Sequence, residues 1–153
     1  MNSLDPSVLI LRDPRESKKK CSLTPLEGLP GITFVRYDRE RRVDADGRIL
    51  LSPDGELLTP EDAGRDLFVI DCSWRRVPSL RATVDGELVL RRLPPLVTAY
   101  PRRSEVFEDP AEGLASVEAL YAALAILERP RPELLDGYRW AEEFLAKNPD
   151  LGR

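Results

Sequence analysis

The sequence contains no histidine. This absence excludes Ser–His and Cys–His nucleophile pairs, histidine metal sites and the side chain best suited to proton transfer near neutral pH. The two cysteines, Cys21 and Cys72, are far apart in the chain and have no paired-ligand spacing, so they form neither a disulfide framework nor a zinc site. We therefore expect two reduced thiols and no metal. Any chemistry must depend on carboxylates, backbone dipoles or a reactive cosubstrate.

The sequence also lacks a long apolar run. No stretch approaches the roughly 20 apolar residues of a membrane helix, and the short run at residues 8–11 is not followed by the small-residue cleavage site of a signal peptide. With 42% hydrophobic and 33% charged residues, the composition is that of an ordinary globular protein. We expect a cytoplasmic monomer with no membrane partner.

Charge is unevenly distributed along the chain. The net charge is −4, but acids dominate only after residue 103, and the earlier part carries several clusters of lysine and arginine. Clustered guanidinium groups are suited to phosphate, because each offers a fork of donors to paired oxygens. Charge alone leaves two interpretations open, RNA binding or solvated faces paired with nearby acids. The candidate RNA-binding residues are Lys19, Lys20, Arg75, Arg76, Arg102 and Arg103.

Short apolar runs in the first part of the chain predict a parallel sheet. Strands are expected at residues 7–12, 32–37, 48–51 and 66–71. Between them, residues 52–55 have turn chemistry, and Thr59 followed by Pro60 is typical of the start of a short helix. Continuous apolar strands separated by short helices indicate a parallel sheet that is covered on both faces.

The last third of the chain has helical periodicity. Apolar residues recur at helical spacing over residues 112–128 and again over residues 132–147, and Pro130 and Pro132 separate the two helices. The predicted fold class is therefore α/β, with a parallel sheet half followed by an all-helical half. The expected bounds of the two halves are residues 1–92 and 93–153.

Polar side chains cluster directly after the fourth predicted strand. Asp71 ends that strand, and Cys72, Ser73 and Trp74 follow it. In open parallel sheets, ligands bind at the carboxyl ends of the strands, so this cluster is a candidate site. Two other interpretations stay open, in which Asp71 initiates a turn and Trp74 is a partly buried core residue.

Five segments in order resemble the pattern of one known family. They are Lys20-Cys21-Ser22, Leu51-Ser52-Pro53, Asp71-Cys72-Ser73-Trp74, Arg92-Leu93-Pro94-Pro95-Leu96 with Ser116-Val117-Glu118-Ala119, and a closing helix from Trp140 to Asn148. The pattern is similar to that of the SPOUT-like small-subunit rRNA aminocarboxypropyltransferases. Each motif is weakly specific alone, and the specificity comes from their order along nearly the whole chain.

The resemblance implies a fold and a cosubstrate. The family fold is a five-stranded parallel α/β half joined to a helical half through a deep trefoil knot, with S-adenosylmethionine bound between the halves. By position, Ser22 and the backbone carbonyl of Ile70 would bind the ribose, while Ser116 and the backbone of Trp74 would bind the methionine carboxylate. The residues expected to line the adenine and methionine pocket are Leu51, Pro53, Trp74, Leu93, Leu114 and Ala119.

The resemblance also implies a reaction on ribosomal RNA or the pre-ribosomal small subunit during ribosome biogenesis. The sulfonium carries a good leaving group, 5′-methylthioadenosine, so catalysis depends on holding the aminocarboxypropyl carbon in line with the nucleophile. An apolar wall such as Trp74 would bury the methyl group. The acceptor is a ring nitrogen of a hypermodified uridine, and Asp71 is the candidate base or electrostatic partner.

The chain departs from the family pattern at residues 98–101. Thr98 and Tyr100 stand where the family has alanine and asparagine, and the loop before Leu114 is longer. Two alternatives stay open, the second of which this departure supports. One is a SPOUT-type RNA methyltransferase that uses the same cleft with the methyl group facing the acceptor. The other is a catalytically inactive, RNA-binding ribosome-assembly factor.

Overall fold

The computed structural model describes residues 8–15, 22–99 and 114–151. Its strands are β1 (Val8–Arg12), β2 (Ile32–Arg36), β3 (Val43–Asp44), β4 (Ile49–Leu57), β5 (Leu67–Asp71), β6 (Val84–Asp85) and β7 (Val89–Arg92). Its α-helices are α1 (Val77–Arg81), α2 (Ser116–Ile126) and α3 (Ala141–Lys147). Short 3-10 helices lie at Thr24–Leu26, Pro60–Asp62, Trp74–Arg76 and Pro132–Leu135. Within these ranges, no helix combines the length and apolar character that crossing a membrane requires.

Five of these strands form one sheet, in the order β2-β1-β5-β4-β7, and all its pairs are parallel. β1 pairs along its full length with β2 on one side and with β5 on the other. This interior position suits its sequence, Val-Leu-Ile-Leu, because a strand buried on both faces needs apolar residues at successive positions. The predicted α/β class with a parallel sheet is confirmed.

The two faces of the sheet pack against different helices. On one face, Ile10 of β1 belongs to the same core cluster as Leu124 of α2 and Phe144 of α3. On the other face, Leu11 packs in a separate cluster with Leu80 of α1. Successive side chains of a strand point to opposite faces, so neighbouring residues of β1 contribute to both cores.

Most predicted elements have close observed counterparts. The strands expected at residues 7–12, 32–37 and 66–71 correspond to β1, β2 and β5, with residue 7 outside the described part of the chain. The helix predicted over residues 112–128 corresponds to α2, with residues 112 and 113 outside the described part of the chain. The helix start predicted at Thr59 is also observed. The Thr59 side chain accepts a hydrogen bond from the Glu61 amide at 3.2 Å and caps the 3-10 helix that follows.

The paired strands β3 and β6 were not predicted from the sequence. Each has only two residues, which is too short for a period to be visible. Arg42, just before β3, reaches across to this pair and donates to the Ala82 carbonyl at 2.9 Å and to the Asp85 carboxylate. The hydrogen bond from Arg42 lowers the pKa of Asp85. A long-range ion pair therefore assists a pairing that local sequence does not reveal.

Residues 52–55 do not form the predicted turn between strands. They lie within β4, where Leu51 and Glu56 both pair with Arg91 of β7, so the residues between them are looped out as a bulge. A Cβ at Gly55 would lie 2.5 Å from the amide nitrogen of Arg91. Turn-forming residues here allow the strand to bulge and then resume its pairing.

The prediction of a single helix over residues 132–147 is also wrong. The chain forms a 3-10 helix at Pro132–Leu135 and then, after a turn, α3. The break includes Gly137, where a Cβ would lie 3.0 Å from the Cβ of Pro25. Gly137 thus leaves little room for a larger side chain at the break, and glycine is itself a poor helix former.

Gly55→Ala should destabilise the fold, because the added methyl group would collide with the backbone of β7 rather than with a flexible side chain. We expect a loss of about 1–3 kcal/mol in the free energy of unfolding, the usual cost of overpacking, measured by urea denaturation. Gly64→Ala is the matched control, since a Cβ there meets nothing within 4 Å. Equal stability of the two variants would contradict this account of the bulge.

Candidate functional site

Two oppositely charged side chains meet at the carboxyl ends of β1 and β5. The parallel register pairs Arg12 with Asp71, the last residue of each strand. The Arg12 Nε donates to Asp71 Oδ2 at 2.8 Å, and both residues are buried, with only 5% of Asp71 exposed. Burial of a carboxylate requires such compensation. The interpretation of Asp71 as only a turn-initiating residue does not account for this ion pair.

Arg12 has further partners beside this pair. Its Nη1 donates to Glu27 Oε2 at 3.1 Å, and its guanidinium lies 4.6 Å from the centre of the Phe34 ring. A cavity of about 470 Å³ opens beside these side chains, lined by Arg12, Pro14, Glu27, Phe34, Val35 and Arg36. The edge of the sheet next to Asp71 is therefore concave and carries both signs of charge.

A second ion pair lies directly after the same two strands. Arg76 Nε donates to Asp13 Oδ2 at 2.9 Å, and the Arg15 amide donates to Asp13 Oδ1 at 3.1 Å. Asp13 is only 1% exposed. Burial raises the pKa of Asp13, but the hydrogen bonds from Arg76 and Arg15 outweigh it, so the pKa lies below its ordinary value.

The two neighbouring candidate RNA-binding arginines differ in their surroundings. Arg76 is held by Asp13 and lies 5.5 Å from the centre of the Tyr37 ring. Arg75 is exposed and lies 5.7 Å from the centre of the Trp74 ring. Trp74 itself is 45% exposed, so it is not a core residue. The other candidates, Lys19, Lys20, Arg102 and Arg103, lie outside the described residues.

Ser22 joins the N-terminal part of the chain to α2. The Val117 amide, in the first turn of α2, donates to Ser22 Oγ at 3.1 Å across a separation of 95 positions. The residue at the N-cap of this helix is Ala115, whose side chain makes no capping hydrogen bond. Ser22 therefore supplies from a distant segment the oxygen that an N-cap serine normally provides.

Glu118, which the sequence analysis did not single out as a site residue, binds four donors beneath the same turn of α2. Its carboxylate is fully buried and accepts from Ala99 and Ala115 amides and from Thr98 and Tyr138 hydroxyls. An acid three residues after a helix N-cap is the signal of a capping box. The hydrogen bond from the Ala115 amide was therefore predictable from the sequence. The other three donors come from distant segments and were not.

The remaining predicted pocket residues lie on different elements. Three of them, Leu51, Leu93 and Leu114, are half-buried and pack against the core cluster that contains α2. The Ile70 side chain packs against the cluster on the opposite face, so only its backbone is suited to the predicted ribose contact. Pro53 is exposed in the bulge of β4, and Ala119 is half-buried on α2.

Comparison with known proteins gives consistent matches. The family described as "Ribosome biogenesis protein, C-terminal" matches residues 49–151. A 16S rRNA aminocarboxypropyltransferase of Vulcanisaeta distributa is 31% identical, over 94% of this chain and 78% of the relative. The 16S rRNA aminocarboxypropyltransferase of Halobacterium salinarum is 37% identical, over 88% of this chain and 78% of the relative. This chain belongs to the small-subunit rRNA aminocarboxypropyltransferase family. The resemblance inferred from its five ordered segments is confirmed.

A solved structure of the same family supports the fold. The S-adenosylmethionine-dependent rRNA aminocarboxypropyltransferase Tsr3 from Vulcanisaeta distributa superposes with a TM-score of 0.71 at 30% identity, over 94% of this chain and 79% of that one. The α/β arrangement with a parallel sheet is therefore common to this chain and that family member.

The lowered pKa of Asp13 predicts a pH-dependent contribution to stability. A carboxyl whose pKa is lower in the folded chain stabilises it above the unfolded pKa, near 3.9, and loses this effect as pH falls through the folded value. Asp13→Asn should therefore lose about 1.5–3 kcal/mol at pH 7, the scale of a charged hydrogen bond, and less below pH 4. Urea denaturation at pH 7 and at pH 3 measures this difference.

The control for this experiment is Asp54→Asn, because Asp54 is exposed in the β4 bulge. It should leave stability nearly unchanged at both pH values. A loss at Asp13→Asn that is the same at pH 7 and pH 3 would show that the charge of Asp13 does not stabilise the fold.

Proposed function

We propose that this chain is an S-adenosylmethionine-dependent rRNA aminocarboxypropyltransferase, which transfers the 3-amino-3-carboxypropyl group to a modified uridine of small-subunit rRNA during ribosome biogenesis. The observation that carries the proposal is the match to relatives of that name over 88–94% of the chain. The intact cluster at the end of β5 and its buried ion pair support an active enzyme over an inactive assembly factor.

The reaction needs little acid–base chemistry, which suits a chain without histidine. The bond between the sulfonium sulfur and the aminocarboxypropyl carbon breaks, and its electron pair stays on sulfur in 5′-methylthioadenosine. A bond forms between that carbon and a ring nitrogen of the uridine, which loses its proton. The chain's task is to hold carbon and nitrogen in line.

The cosubstrate occupies the region between the carboxyl ends of the strands and the first turn of α2. Ser22 and the Ile70 carbonyl bind the ribose, and Ser116 with the Trp74 backbone binds the methionine carboxylate. The bond from Val117 to Ser22 supports this assignment, because it brings two of the four groups next to each other. The apolar walls are Leu51, Pro53, Trp74, Leu93, Leu114 and Ala119.

Asp71 acts through its negative charge rather than as the base. Its carboxylate accepts from the Arg12 Nε at 2.8 Å, so one of its oxygens is already engaged in a buried ion pair. A fixed negative charge at a strand end instead suits the ammonium group of the methionine moiety or the positive sulfonium. The proton that leaves the uridine nitrogen then passes to water or to the RNA.

RNA binds through the basic residues near this edge. Arg75 is better suited to phosphate than Arg76, because Arg75 is exposed, whereas Arg76 is engaged by Asp13. Lys19, Lys20, Arg102 and Arg103, which lie outside the described residues, are further candidates from the sequence, and the contribution of such cations is electrostatic and sensitive to salt.

The finer features of the family are also proposals for this chain. They are a deep SPOUT-type trefoil knot and a division into a sheet half at residues 1–92 and an all-helical half at residues 93–153. The chain acts as a monomer in the cytoplasm, without a membrane partner. The grouping of the described strands before residue 93 is consistent with this division.

Transfer of label tests the proposed function directly. S-adenosylmethionine labelled at its carboxyl carbon should place label in small-subunit RNA when the wild-type chain is present, whereas methyl-labelled cosubstrate should not. Trp74→Ala should weaken cosubstrate binding by about 1–3 kcal/mol, the scale of a lost aromatic contact, measured by calorimetry. Leu57→Ala, another exposed apolar residue, is the control and should bind normally.

Incorporation of the methyl label alone would identify a methyltransferase instead. Absence of both labels, together with no heat of cosubstrate binding, would favour the inactive assembly factor.

Asp71→Asn should lower the rate of transfer by about 100-fold or more, the scale of a lost electrostatic interaction in the transition state, because asparagine keeps the shape but not the charge. Asp62→Asn is the matched control, since it breaks another partly buried aspartate–arginine pair, with Arg91 at 3.1 Å, and Asp62 itself has no role in the proposed site. Both variants should lose stability, but only Asp71→Asn should lose activity beyond its folded fraction. Near wild-type transfer by folded Asp71→Asn would remove Asp71 from the mechanism.

A further inference from the structure

The Glu118 carboxylate has every acceptor position filled. Oε1 accepts from the Thr98 hydroxyl at 2.6 Å and from the Ala115 amide at 2.9 Å. Oε2 accepts from the Ala99 amide at 3.0 Å and from the Tyr138 hydroxyl at 2.8 Å. Two oxygens offer about four lone-pair sites, so this buried acid is fully satisfied by hydrogen bonds alone.

These donors converge on the turn of α2 that carries Ser116. The Ala115 amide, one residue before Ser116, is held by Glu118, and the Val117 amide, one residue after it, is held by Ser22. The Ser116 side chain is exposed, and within the described ranges no other side chain or backbone group bonds it. Both flanks of this serine are thus fixed, while its own hydroxyl is available to a ligand.

Glu118 also connects this turn to the segment after β7. The Ala99 amide and the Thr98 hydroxyl bind the same carboxylate. The Asn148 side chain holds the preceding residue, donating to the Val97 carbonyl and accepting from its amide, each at 2.8 Å. Residues 97–99 therefore owe their position to side chains of the helical part. Thr98, a departure from the family pattern, adds a donor to Glu118.

An amide at position 118 would not serve equally well. The hydroxyls of Thr98 and Tyr138 are able to turn and accept a hydrogen bond, but a backbone amide only donates. Whichever end of a glutamine carried the NH2 group would face the Ala99 or the Ala115 amide, so one of those two bonds would be lost. The network specifically needs a carboxylate.

We propose that Glu118 is a positioning residue, which fixes the first turn of α2 so that Ser116 meets the methionine carboxylate of the cosubstrate. This inference rests on the proposed function. It assigns a role in the same site to a side chain that is itself buried beneath the helix and touches no ligand.

Selective loss of affinity tests this role. Glu118→Gln should bind S-adenosylmethionine about tenfold more weakly, the scale of one or two lost hydrogen bonds. Its affinity for 5′-methylthioadenosine, which lacks the aminocarboxypropyl group, should fall clearly less, because Ser116 makes no contact with that compound. Calorimetry measures both affinities. Tyr138→Phe is the matched control, because it removes one donor but leaves both backbone bonds, and it should bind both compounds as wild type does.

Equal weakening toward the two compounds, or none toward either, would overturn the inference and leave Glu118 with a structural role only. If the wild type binds neither compound, it is the proposed function that fails.

A measurement on the wild type covers the possibility that Glu118→Gln does not fold. Saturating S-adenosylmethionine should slow hydrogen exchange at the Ala99 and Ala115 amides by about tenfold, because binding stabilises the state in which both amides are bonded. 5′-Methylthioadenosine should slow them less. Unchanged exchange at both amides in the presence of bound S-adenosylmethionine would contradict the proposal.

Discussion

The parallel register between β1 and β5 is the constraint on which the candidate site depends. It sets Arg12 beside Asp71 at the ends of the two strands, and it continues for one more bond, from the Asp13 amide to the Asp71 carbonyl at 3.0 Å. Asp13 then lies within reach of Arg76, which belongs to the 3-10 helix that follows β5. A shift of the β1–β5 register by one residue would turn these charged side chains toward the opposite face of the sheet and leave them buried without partners.

The fold was predictable where a continuous apolar run in the local sequence shows that a strand is buried. Every position of β1 and β5 before its final charged residue is apolar, so these strands were evident from the sequence. Gly55 and Gly137 show the limit of that reasoning. Their local sequences indicate a turn and a continuous helix, but the chain forms a bulged strand and a broken helix there. The two glycines pack closely against Arg91 and Pro25, and such contacts have no local signature.

The candidate site was predictable to a similar degree. The position of Asp71 after a buried strand predicted it as a candidate site residue, but its pairing with Arg12 depends on a register between residues that are 59 positions apart in sequence. The Ser22 bond to α2 spans an even longer separation. The order of motifs along the chain compensated for this in part, because it identified the family, and it predicted site residues without any knowledge of their contacts.

The bond between Ser22 and the first turn of α2 has a consequence for how the chain matures during translation. The hydroxyl leaves the ribosome long before the helix that it caps, since 95 positions separate the two partners. At 5–20 residues per second, roughly the usual rate of synthesis, several seconds pass between the emergence of one and of the other. The sheet strands, which all lie between or before these partners, are therefore able to pair first. A truncated nascent chain that ends before α2 would contain every strand of the described sheet and still lack the helix that Ser22 caps.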